Sequence, residues 1–311
     1  MKRLIGFVAL AVAFASAWSC QKGEAEPEVM ETVVSVQIPG ESDSRTVSMA
    51  EKTDIVYFEV WDESFQNKLF PYPGSEANHA EVKECRAEII LQLVKDQTFN
   101  LIFWAQNEKC GAYSWENLKN IKVDYAKFTA DQKDVYDAFY AVMDNMVADG
   151  EPKTVRLYRP FAQINFGASG LSTSIGDIEL SGNSVTVSEV ASTFNTVSGM
   201  GADPVSNVTF TTESDFVEDR TIEVGAKTYD WVAMNYLLVA SGESSKPSAD
   251  VTVSADFVTN FGAVHHYVTN VPIERNYRTN IVGDLFRAGA KLNIIVVPDF
   301  NGDKPVIEIN Q

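Results

Sequence analysis

Short runs of alternating apolar and polar residues, separated by turn formers, set the strongest limit on how this chain folds. The clearest run is Val251–Phe257, where Val251, Val253, Ala255 and Phe257 share one face and Thr252, Ser254 and Asp256 the other. Side chains of a strand point alternately to opposite faces, so this period of two marks a strand with one buried side. Thr32–Ile38 obeys the same rule, with Val34, Val36 and Ile38 inward, and Pro39-Gly40 closes it. Ile55–Trp61 is apolar on both faces and reads as a central strand. Val82–Val94 and Thr98–Ala105 read as two strands folded about a turn at Lys95-Asp96-Gln97. Further strands are expected at Val155–Tyr158, Ala162–Phe166, Ile178–Leu180, Val185–Val190, Val208–Thr211, Tyr229–Val232 and Leu237–Ala240. His265–Thr269, Thr279–Phe286 and Leu292–Val297 complete the set.

Many short strands with frequent turn signals and no long amphipathic helix predict an all-β chain built from β-sandwiches. One stretch departs from the pattern. In Ala130–Val147, Val135, Phe139, Val142, Met143 and Met146 recur at helix-like spacing, which predicts a short helix. A strand then closes and a Ser/Gly-rich stretch opens at Phe166–Gly170, dividing the chain into an N-terminal half, 32–168, and a C-terminal half, 169–311.

The N-terminus predicts export. Lys2 and Arg3 precede an apolar stretch, Leu4–Trp18, which is shorter than the roughly 20 residues of a membrane-spanning helix and has the form of a signal segment. Ala17-Trp18-Ser19-Cys20 places small residues where a signal peptidase needs them, and a cysteine at the first mature position is the residue that bacterial lipoprotein processing acylates. Residues 1–19 are therefore expected to be a signal peptide and Cys20 a lipidation site, anchoring the chain to the outer membrane. Residues 20–31 follow as a tether carrying Glu24, Glu26, Glu28 and Glu31.

The formal net charge of −18 repels nucleic acid phosphates and anionic lipid, so neither is an expected partner beyond the anchor itself. Cys85 and Cys110 are a candidate disulfide in an oxidising compartment, since folding about Asp96 brings Cys85 near residue 107; two buried thiols are the other reading. Motifs for catalysis are missing: there is no G-x-S-x-G, H-E-x-x-H or phosphate-binding glycine loop, and adjacent His265 and His266 would point to opposite faces of a strand. No enzyme, metal or cofactor is expected. Asp299–Asp303 has oxygen donors at alternate positions but lacks the glycine of a calcium loop, and reads as an Asx-rich turn. Tyr113 and Trp115 form the one expected exposed aromatic pair and the candidate contact for a glycan or host ligand. Arg45, within Gly40-Glu-Ser-Asp-Ser-Arg45-Thr46, lies in a polar segment of the kind proteases cut. A cut between Arg45 and Thr46 would detach strand Thr32–Ile38 and leave a groove that another chain's strand can fill.

Three further segments carry a resemblance. Arg159-Pro-Phe-Ala-Gln-Ile-Asn-Phe-Gly167, Tyr229-Asp-Trp-Val-Ala-Met-Asn-Tyr236 and Asn270-Val-Pro-Ile-Glu-Arg-Asn-Tyr-Arg-Thr-Asn-Ile-Val-Gly283 resemble strands of Bacteroidetes fimbrillin-like lipoproteins, which include type V pilus subunits. The resemblance implies two tandem transthyretin-like β-sandwich domains on a surface lipoprotein. It also implies a structural or accessory role in cell-surface fimbriae, with other subunits or further copies as partners through strand exchange. In polymerising members an arginine-specific protease removes the first strand. Carried over, Arg45 matches the cleavage position, Thr32–Ile38 the removed strand, and Leu292–Val297 the donor strand.

Overall fold

The structure, a computed structural model, describes residues 11–12, 27–39, 52–71, 78–128, 135–169, 179–213, 221–224, 226–240, 242–243, 246–286, 292–297 and 307–310. These form three sheets and, apart from short 3₁₀ turns such as Tyr125–Lys127, no helix. The first sheet runs in the order β1 (Ala11–Val12), β6 (Arg86–Val94), β2 (Val29–Gln37), β11 (Lys153–Arg156). The second runs β10 (Phe139–Val147), β7 (Thr98–Gln106), β3 (Ile55–Asp62), β4 (Lys68–Phe70), and β5 (His79–Glu81) also pairs with β3. The third has thirteen strands. Its main path is β17 (Gly242–Glu243), β18 (Lys246–Thr259), β13 (Leu180–Asn195), β16 (Lys227–Leu238), β12 (Phe161–Ala168), β20 (Arg278–Gly283), β21 (Leu292–Val297), β22 (Ile307–Asn310). Off that path, β14 (Met200–Glu213) and β9 (Asn120–Val123) pair with β13, β8 (Tyr113–Ser114) with β9, β15 (Thr221–Val224) with β16, and β19 (Val264–Glu274) with β18.

Two cores lie on opposite sides of the second sheet. The smaller packs Val34 and Val36 of β2 and Ile89, Leu91 and Leu93 of β6 against Phe58 and Val60 of β3 and Leu101 and Phe103 of β7. The larger takes the alternate residues of those strands, Ile102, Trp104 and Trp61, and packs them with Phe161, Phe166, Phe194, Tyr236 and Phe257. Double-sided burial explains why Ile55–Trp61 and Thr98–Ala105 lack polar alternation: each face has its own apolar partner layer.

Two expectations are corrected. Val82–Val94 and Thr98–Ala105 do hold strands, but β6 and β7 do not pair with each other; the turn, with Asp96 at φ 60°, carries the chain from the first sheet to the second. The expected helix within Ala130–Val147 is, over Phe139–Val147, strand β10, paired antiparallel with β7. Its register shifts between Met143 and Met146, at Asn145 with φ 53°. Such a bulge offsets the alternation, so a strand borrows helix-like spacing. Buried Asn100 holds it: its Oδ1 accepts from the Asn145 amide at 2.8 Å, and its Nδ2 donates to the carbonyls of Asp62 and Glu63 at 2.9 and 2.8 Å.

Strand β12, expected to close the N-terminal half, lies in the middle of the third sheet, antiparallel to β16 and parallel to β20. The three family-like segments thus fall on neighbouring strands. Asn165 stands opposite Asn280 and donates to its Oδ1 at 2.8 Å. Gly167 follows a register shift, and a Cβ there would sit 3.0 Å from both Tyr229 Cβ and Val282 Cγ1, so a larger residue would have to push these neighbours aside.

The entry to β12 is fixed by a fully buried ion pair. The Arg159 Nε donates to both oxygens of Asp137 at 2.9 Å and its Nη2 to Oδ2 at 2.7 Å, with the guanidinium 4.7 Å from the Phe139 ring centroid. Burial pushes the Asp137 carboxyl up, while the guanidinium opposes that shift. Removing one partner of such a pair strands the other charge in a medium that solvates it poorly. Arg159→Ala is therefore expected to cost about 3–5 kcal/mol, read as a lower midpoint in urea unfolding; a loss below about 1 kcal/mol would show that the pair does not hold this crossing.

Candidate functional site

The element that the sequence singles out as detachable, Thr32–Ile38, sits within β2 and just beyond it. Thr32, Val34 and Val36 point inward and are fully buried, and Ile38 follows them into the core. β2 pairs antiparallel with β6 over nine residues, from Val29 opposite Val94 to Gln37 opposite Arg86. It pairs in parallel with β11 over four, Lys153–Arg156 against Val34–Gln37. Both ends are tied down. The Lys95 amide donates to the Glu28 carbonyl at 2.9 Å and its ammonium meets the Glu28 carboxylate at 2.9 Å; at the far end the Ile38 amide donates to the Cys85 carbonyl at 2.9 Å. β2 therefore fills a slot between two strands and roofs the smaller core. Losing it would leave β6 and β11 with bare edges and expose the apolar side chains beneath. Cys20, Arg45 and Thr46 lie outside the described residues, as does the Asp299–Asp303 turn.

The expected donor strand has the opposite character. Leu292–Val297 is β21, flanked by β20 over six register positions and by β22 over four, with Ile294 and Ile295 buried. Donating it to another chain would break two ladders and open the larger core, so its apolar sequence reflects its place in its own sheet.

No disulfide joins Cys85 and Cys110. Because β6 and β7 part into different sheets, half-buried Cys85 packs on the smaller core while Cys110 is buried in the larger. Burial pushes the Cys110 thiol up to about 11.

Tyr113 and Trp115 do not form an exposed pair. Tyr113 is buried, donates its hydroxyl to the Tyr136 carbonyl, and packs against Trp104 and Phe161 at 5.4 and 5.7 Å between ring centroids. Trp115 is half-buried and meets Tyr57 edge-on at 5.0 Å, and the His79 ring lies 5.8 Å from that of Tyr57. Tyr57 and His79 were missed because they sit in β3 and β5, far from Trp115 in sequence. Desolvation, then Glu108 and Asp54, push the Tyr57 hydroxyl up.

Other titratable groups make contacts within the protein. Buried Glu59 accepts from the Leu118 amide at 2.9 Å and from Trp61 Nε1 at 3.1 Å, and faces Lys68 at 3.5 Å. Desolvation raises its carboxyl. His266 meets Asp256 at 2.6 Å on an exposed face, while His265 lies against Phe286 at 5.5 Å. Among the described residues no three His, Cys, Asp or Glu side chains gather as a metal site would require, and no helix is long and apolar enough to cross a membrane.

A family model, described as a family of unknown function (DUF6562), matches residues 24–310. No curated protein matches the chain. Among solved structures, a candidate cell adhesion protein from Bacteroides ovatus ATCC 8483 is similar at a TM-score of 0.53 and 12% identity, over 90% of this chain and 100% of that one. Another, from Bacteroides uniformis ATCC 8492, gives a TM-score of 0.51 and 12% identity over 86% and 96%. At such identities the likeness speaks for the fold.

Two measurements follow from the geometry. The Thr32 hydroxyl is buried with no hydrogen-bond partner among the described residues, so Thr32→Val, which keeps the shape and removes the orphaned oxygen, is expected to stabilise the fold by about 1 kcal/mol in urea unfolding. In a Cys20→Ala background, a thiol reagent at pH 8 is expected to label Cys85 in the native protein and Cys110 only after denaturant is added. Equal native rates would show that Cys110 is not sealed in the larger core.

Proposed function

The chain belongs to this family of unknown function, DUF6562, and from that premise we propose that it is a fimbrillin-like surface protein with a structural or accessory role in cell-surface fimbriae and adhesion. The observation that carries the reading is β2: one strand, held between β6 and β11, roofs a core that would otherwise lie open. The segment after it holds Arg45, and the sequence ahead of it has the form of a lipoprotein leader ending at Cys20. The shared fold with two candidate adhesion proteins of Bacteroides supports the same class. In this reading the two cores belong to two transthyretin-like sandwiches, the acyl group on Cys20 holds the chain on the outer membrane, and no catalysis is involved.

Strand complementation then proceeds from the acceptor side. Cleavage between Arg45 and Thr46 frees β2 together with the lipid, and an extended strand of another subunit replaces it, restoring both ladders. The donor is not β21, which two ladders hold. Among the described residues β22 pairs only with β21, over four positions, and would be the less costly strand to release.

An arginine-specific protease applied to the purified precursor tests this. The expected result is loss of the N-terminal segment and a ladder of higher species on a native gel. A product cut only at Arg45 that stays monomeric would overturn assembly by strand exchange.

A further inference from the structure

Strand β19 is an open edge of the third sheet. Among the described residues it pairs with β18 alone, so the strands run β14, β13, β18, β19 from one edge to the other. The hydrogen bonds fix which of its backbone groups are unused. The Thr259 amide donates to the Ala263 carbonyl at 2.9 Å where the hairpin turns, and bonded pairs recur at every second residue of an antiparallel ladder. His265, Tyr267, Thr269 and Val271 therefore bond to β18, while Val264, His266, Val268 and Asn270 turn amide and carbonyl outward. Further contacts agree. The Thr252 amide, opposite Asn270, donates away from β19 to Ser188 Oγ at 3.0 Å. The outward carbonyl of Pro272 accepts from Thr279 Oγ1 at 2.7 Å, and that of Asn270 takes a long bond, 3.4 Å, from the hydroxyl of its own neighbour Thr269.

Edge strands are ordinarily protected by charge. Here β10 carries Asp144, β11 Lys153 and Arg156, β14 Asp203 and Glu213, and β15 Glu223. From Phe257 to Ile273 the β18–β19 hairpin has no Asp, Glu, Lys or Arg. The three most exposed large apolar residues described, Phe261, Val264 and Val268 at 66%, 61% and 60%, all belong to it. Asp256, which faces this stretch from β18, meets His266 at 2.6 Å, and Glu179 and Glu274 stand at its two ends.

We propose that this edge joins two copies of the chain in an antiparallel dimer, with the two-fold axis passing between the two Tyr267 residues. A chain of net charge −18 repels its own copy, which confines self-association to a stretch free of charge. The axis puts Val264 of one copy opposite Asn270 of the other, and His266 opposite Val268. Each facing pair then meets with outward groups on both sides and exchanges two hydrogen bonds, while the two Val268 side chains lie diagonally across the axis. Pairing consumes both edges, so assembly closes at two copies. One strand pair is a small interface, which makes the dimer dependent on concentration. The slot of β2 belongs to the first sheet, and this contact needs no cut at Arg45.

The test uses the uncut chain in a Cys20→Ala background, where no acyl group can drive association. Sedimentation velocity is expected to show a monomer–dimer equilibrium. Val268→Lys sets two ammonium groups across the axis and is expected to weaken the dimer at least tenfold. Val268→Pro removes an outward amide that no ladder bond of the protein uses, and is expected to abolish the dimer while circular dichroism stays unchanged. Crosslinking reads the register, with Cys85 replaced by serine. Val264→Cys and Asn270→Cys chains are expected to form disulfide dimers when mixed and oxidised, whereas either chain alone holds its two cysteines about 20 Å apart and stays uncrosslinked. A chain that is monomeric at every concentration, a dimer that survives both changes at Val268, or single-variant chains that crosslink as well as the mixture would each overturn the proposal.

Discussion

The second sheet is buried on both faces, and most of the architecture depends on that. β3 and β7 send one set of side chains into the smaller core and the alternate set into the larger. An ordinary sandwich strand turns a polar face to water. Here Phe103 and Trp104, adjacent in sequence, are both fully buried because a layer covers each side. The first sheet must therefore lie against one face and the strands of the third against the other. Neither core can lose its shared wall without the other losing its own.

Polar groups set the geometry around that wall. Asn100 holds the bulge of β10, Glu59 ties β3 to Leu118, and Arg159 with Asp137 fixes where the chain enters the third sheet. Burial supplies the drive to collapse without choosing among registers. These bonded polar groups choose, because a slipped register would leave each of them without its partner in a dry interior.

Much of the secondary structure was legible from alternation alone. Val251–Phe257 falls within β18, Thr32–Ile38 runs from β2 into Ile38, and Leu292–Val297 is β21. Pairing was not legible, because a strand's sequence records which faces are buried and not which neighbours lie alongside. Hence Val82–Val94 and Thr98–Ala105 read as a hairpin although a three-residue turn sends them to different sheets. Double-sided burial was visible in Ile55–Trp61, but what covered each face was not. The bulge at Asn145 shows the complementary failure: an irregularity of two residues moves the period far enough to suggest a helix. Tyr113 looked like a loop aromatic because the short strands around it are too brief to show a pattern. As for the candidate slot, its filling strand could be read, while its walls, β6 and β11, are far apart in sequence.

The position of β2 also has a mechanical meaning. A pull that enters ahead of Val29 and runs along the strand axis loads the nine register positions shared with β6 and the four shared with β11 all at once. Bonds loaded side by side in shear resist far better than bonds peeled open one by one, and resistance to force is a matter of unfolding rate rather than equilibrium stability. Strand β2 is thus well placed to carry tension applied ahead of Val29 into the body of the protein.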